Sequence, residues 1–87
     1  MCHYRITEAD MCQTLAGNLR YLRKSRSKRI SQKALARILN LPAKTILNYE
    51  SGHTSPSAYA VFMLAGYFEC TVEELLTKHL YERTNNP

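Results

Sequence analysis

Residues 40–52 read NLPAKTILNYESG. The segment opens on a turn signal, Asn-Leu-Pro, and closes on glycine, a residue that suits the position just past a helix end. Between them the sequence predicts a helix of barely two turns, from Pro42 to Ser51. On a helical wheel Ile46 and Tyr49 share a side with Pro42, whereas Ala43, Lys44, Leu47 and Asn48 lie opposite. A helix that short has little stability of its own and persists through packing. Its outward side is therefore expected to serve something other than the core.

Immediately upstream, Ser31 is a good N-cap for a helix that carries Leu35, Ala36 and Leu39 inward. Asn40, which visits the left-handed conformation more readily than most residues, can end it. With only Asn40 to Pro42 between them, the two short helices form a helix-turn-helix. Leu35 and Ala36 meeting Ile46 would fix the crossing, and the small Ala36 lets the helices approach. A bulky residue there should force them apart. A second helix held at that angle protrudes, and a helix about 10–12 Å across fits the major groove of B-DNA.

On either side the chain continues as helix. The first helix begins at TEAD, where Thr7 caps and Asp10 sits at the third helical position. Met11, Leu15, Ala16, Leu19 and Leu22 then form one apolar face, and the helix should end between Ser25 and Ser27. A fourth helix follows SPS, with Ser57 as cap, and runs to about Phe68. A fifth starts at TVEE, where Thr71 and Glu74 have capping-box spacing, and continues through Leu75 and Leu76 toward Leu80. The tail ERTNNP is expected to fray. No strand, repeat or long linker is apparent. The expected fold is all-α, a compact five-helix domain: residues 1–10 an N-terminal arm and the start of the first helix, 11–80 the helix-turn-helix domain, 81–87 a tail.

Composition bounds the function. At 87 residues, 45% apolar and 22% charged, the chain is one small globular domain rather than a disordered one. Twelve basic against seven acidic residues give a net charge of +5, which admits nucleic acid or an anionic membrane without choosing between them. Cys2, Cys12 and Cys70 are odd in number and widely spaced, and no secretory pattern precedes them, so a reducing cytoplasm is expected. The longest apolar run, AYAVFMLAGYF, is too short to span a bilayer.

The run NLRYLRKSRSKRISQKALARILNLPAKTILNYESGHTSPS, followed by LAGYFECTVEELL, resembles the Cro/C1-type helix-turn-helix family of phage repressors and small bacterial regulators, a lambda-repressor-like domain. The resemblance covers roughly residues 15 to 76, and SQKALA, TILNYESG and TVEELL are its most specific pieces. It implies that the helix from Ser31 to Leu39 crosses the DNA backbone. There Ser31 and Gln32 would meet a phosphate, helped by free N–H groups and the positive dipole end. It also implies that Ala43, Lys44, Leu47 and Asn48 face base edges. Lys44 could donate to guanine, Asn48 could pair bidentately with adenine, and Ala43 and Leu47 could touch a thymine methyl. Thr45, His53 and Thr54, with Ser55, are placed to bond phosphate oxygens, which sets register without reading sequence. Simple solvation of these polar side chains is the alternative. Tyr49 reads as a packing residue.

From Arg20 to Arg29 the chain holds six basic residues in ten and no acid, and Arg23 and Arg29 are among the expected phosphate contacts. In the family the counterpart of Arg23 pairs with the glutamate at Glu50, a structural role first. Three departures stand out: SRSKRIS is about two residues longer than usual, Asn40 replaces a turn glycine, and Pro42 replaces a capping Ser or Thr. The first leaves open which of Arg26, Lys28 and Arg29 reaches DNA.

Neither the cysteines and histidines nor the carboxylates match a metal-site spacing or a nucleophile–base set, so no cofactor, metal or enzymatic activity is expected. The resemblance implies a sequence-specific regulator of transcription bound to double-stranded DNA at a palindromic operator. A homodimer through the fourth and fifth helices is expected, with help from Tyr4, Ile6, Leu80 and Tyr81. The rival is a protein-interaction module of the same fold, an antitoxin or co-regulator. Burying Val61, Leu64, Ala65 and Phe68 should leave Phe62, Met63 or Tyr67 partly outside, which suits either.

Overall fold

Thr7 and Asp10 exchange the hydrogen bonds that begin α1 (Glu8–Ser25). The Asp10 amide donates to the Thr7 hydroxyl at 3.0 Å, and the Thr7 amide donates to the Asp10 carboxylate at 3.2 Å. The computed structural model, which describes residues 6–25 and 29–83, then runs through α2 (Gln32–Ile38), α3 (Ala43–Glu50), α4 (Ala58–Phe68), α5 (Val72–Thr77) and the single turn α6 (Leu80–Arg83). The expectations for Cys2, Tyr4, Arg26, Lys28 and residues 84–87 fall outside the described residues.

Local capping signals place most of these boundaries. Ser31, Ser57 and Thr71 each cap the following helix by accepting from an amide three residues on. Thr71 and Glu74 complete a capping box, with both bonds at 2.9 Å. Asn40 adopts φ 58°, and the Leu41 amide reaches back to the Ala36 carbonyl at 2.8 Å, closing α2 in a Schellman turn. Pro42 precedes α3 without a side-chain cap, as the lack of a hydroxyl there dictates.

The core takes a fully buried residue from each of the first five helices: Leu15 and Leu19, Leu35, Ile46, Leu64 and Leu75. The stripe read on α1 is inward-facing, with Leu15, Ala16 and Leu19 buried and Met11 and Leu22 half-buried. α2 and α3 pack against each other, with Leu35 and Ala36 from the first and Ile46 from the second buried in the same core. Among the described residues no helix is long and apolar enough to cross a membrane.

The end of the chain departs from a fifth helix running toward Leu80. α5 stops at Thr77, Lys78 is extended, and α6 begins two residues later. The cause is Asn18, wholly buried on α1. Its amide nitrogen donates to the Leu75 carbonyl at 2.8 Å and the Lys78 carbonyl at 2.7 Å, and its oxygen accepts from the Leu80 amide at 2.9 Å. With that amide bonded to Asn18, the helical ladder breaks. Leu80, expected on a dimer surface, is consequently buried in the monomer.

Candidate nucleic-acid interface

α3 has two unlike sides. Ile46, Tyr49 and Glu50 are buried, and the Tyr49 hydroxyl accepts from the Ser57 amide at 3.2 Å, a packing role. Ala43, Lys44, Leu47 and Asn48 are exposed together on the other side, with Thr45 half-buried at the margin. Leu47 is 52% exposed, although burying it would be favourable by about 1.5–3 kcal/mol. The fold leaves this face open.

The exposed face adjoins the start of α2. Ser31, Gln32 and Lys33 line one wall of an open cleft of about 400 Å³, and Ala43, Lys44 and Leu47 line the other. The structure thus brings together five of the expected contact residues and adds Lys33, whose place beside the cleft follows from the helix crossing rather than from any local motif.

Glu50 ties the two helices to α1. Its buried carboxylate accepts Arg23 Nε at 2.7 Å and Arg23 Nη2 at 2.9 Å, a bidentate pair, and accepts Gln32 Nε2 at 2.9 Å. Arg23 Nη1 donates to the Ile30 carbonyl at 3.2 Å. The hydrogen bond to Glu50 holds the guanidinium above its ordinary pKa, against the opposing effect of burial and with further help from charge attraction. Arg23 is therefore turned inward. Gln32 is half-buried; its amide nitrogen is bonded to Glu50, and the residue also lines the cleft.

Of the expected phosphate contacts, Ser31 and Gln32 line the cleft and the others do not. Ser31 is exposed, with its hydroxyl occupied by the Ala34 amide at 3.0 Å. Arg29 is exposed and donates through Nε to the Lys24 carbonyl at 3.1 Å. His53 is exposed and Thr54 half-buried. His53 lies apart from the α2–α3 cleft, lining a second depression with Glu8, Gln13 and Gly52 near the start of α1.

Arg20 and Gln13 are further anchors, which no local motif marks. Arg20 Nη1 donates to the Glu50 carbonyl at 2.6 Å, and Gln13 Nε2 donates to the Gly52 carbonyl at 3.1 Å. These contacts join positions thirty or more residues apart, and no spacing rule reveals them.

A family model described as helix-turn-helix, HTH_3, matches residues 19–75, a span that runs from α1 through both cleft helices to Leu75 in α5. No curated protein and no solved structure matches the chain. With that match over more than half of the residues, on a fold that leaves the outer side of α3 exposed, the chain belongs to the Cro/C1-type helix-turn-helix family of DNA-binding regulators.

Proposed function

We propose that the protein is a sequence-specific regulator of transcription that binds a palindromic operator as a homodimer in the cytoplasm, with α3 in the major groove. One observation carries the reading: Ala43, Lys44, Leu47 and Asn48 are exposed together beside the start of α2, while the opposite side of α3 is sealed in the core. In this reading Lys44 and Asn48 bond base edges, and Ala43 and Leu47 meet methyl groups. Ser31, Gln32, Thr45 and Arg29 contact phosphate near the cleft, and His53 and Thr54 do so past the far end of α3. Arg23 supports this surface from behind, through Glu50.

The dimer is supported by α4, which carries no charged residue and exposes Tyr59 at 52% and Phe62 at 68%. A chain of net charge +5 can meet its own copy there without bringing like charges together. The same surface suits the second reading, a module whose main partner is another protein.

Selection from random duplexes tests the proposal. The protein should enrich a two-fold symmetric site whose half-sites lie one helical turn apart, about 34–36 Å centre to centre, or a multiple of that. Enrichment of no sequence would overturn the proposal and favour the protein-partner reading.

A further inference from the structure

An α-helix leaves its last carbonyls without donors of its own. In α3 the Leu47 carbonyl accepts from the Ser51 amide at 3.1 Å, the Asn48 carbonyl from the same amide at 3.2 Å, and the Tyr49 carbonyl from the Gly52 amide at 3.2 Å. For the Glu50 carbonyl the donor comes from another helix: Arg20 Nη1, at 2.6 Å. Two residues further on, the Gly52 carbonyl receives Gln13 Nε2 at 3.1 Å. Gln13 and Arg20 are two helical turns apart on α1, so both reach out from one face. Gly52 has φ 84°, and a Cβ built there would lie 2.7 Å from Gln13 Nε2, so the close approach depends on glycine. The positive guanidinium also meets the negative end of the α3 dipole.

We propose that Arg20 and Gln13 are positioning residues for DNA readout. They fix the tilt of α3 from its C-terminal end, and they do so without touching DNA. The inference rests on the DNA-binding reading above. Base-edge hydrogen bonds demand defined geometry, whereas the attraction that gives non-specific binding comes from phosphate charge and tolerates a tilted helix. The Arg23–Glu50 pair holds a side chain of α3; Arg20 holds its last carbonyl, and Gln13 holds the backbone of Gly52 just beyond it.

The test measures affinity for a selected duplex and for a scrambled one, each across a salt series, with wild type, Arg20→Gln, Arg20→Lys and Gln13→Met. Circular dichroism at the assay temperature establishes that each variant is folded. Arg20→Gln should weaken the selected complex about tenfold, the worth of a charged hydrogen bond, and leave scrambled binding and the salt slope unchanged. Arg20→Lys, which keeps the charge and a donor, should recover most of the loss. Gln13→Met should lose selectivity in the same direction, and it decides the matter if Arg20→Gln unfolds. Variants as selective as wild type would overturn the inference alone. So would a salt slope shallower by about one on Arg20→Gln, which marks a phosphate contact. A wild type that prefers no duplex would overturn the DNA reading and this inference together.

Discussion

Replacing Glu50 by alanine would leave the Arg23 guanidinium and the Gln32 amide facing an empty acceptor position. Breaking a buried pair from one side costs about 3–5 kcal/mol. Arg23 keeps some access to water, at 11% side-chain exposure, so Glu50→Ala should cost about 3 kcal/mol in urea unfolding, the lower end of that range. The raised pKa of Arg23 gives the sign of the pH effect: its contribution is complete below the unfolded value and is lost only as pH rises through the still higher folded one. The Arg23 contribution should therefore persist through neutral and mildly alkaline conditions. On the outward side Asn48→Ala should relax the selected sequence at one position and cost about 1–3 kcal/mol on the preferred duplex, read by competition binding. The exposure of Asn48 was legible because a helical wheel needs only local spacing. Asn18, Gln13 and Arg20 were not, because each finds its partners 30 or more residues away and an isolated polar residue in a helix names no partner.

At the scale of the helix pair, Ala36 is 1% exposed and shares the buried core with Ile46, so there is no room at this position for a larger side chain. Ala36→Leu should destabilise the fold by about 1–3 kcal/mol through overpacking. It should also weaken the selected complex more than the scrambled one, because the crossing that presents α3 would shift. Thermal unfolding and the ratio of the two affinities check the two parts. The boundaries of these elements were written in local chemistry, as Ser31, Asn40, Ser57 and the Thr71–Glu74 box attest. The break between α5 and α6 was hidden for the opposite reason: Asn18 imposes it from α1, against a local sequence that permits a continuous helix.

For the whole molecule, the apolar surplus read in AYAVFMLAGYF is real and lies largely on α4, where Tyr59, Phe62 and Tyr67 are exposed while Val61, Leu64, Ala65 and Phe68 are inside. Phe62 contributes little to the core at 68% exposure, so Phe62→Glu should leave the thermal midpoint within a few degrees of wild type. If α4 is the dimer surface, that change should yield monomers by sedimentation and weaken operator binding at least tenfold, as roughly half the contacts of a two-fold complex are lost. A wild-type dimer neutralising about eight phosphates should give a log–log salt slope near −7, and the Phe62→Glu monomer a slope about half as steep.

Amide chemical shifts of the protein, followed as its selected duplex is added, test most directly whether the open side of α3 enters DNA. The predicted result is that shifts concentrate at residues 31–33 and 43–48, saturate with one duplex per two chains, and diminish with added salt. Resonances of α3 that stay in place while those of α4 move would contradict the account.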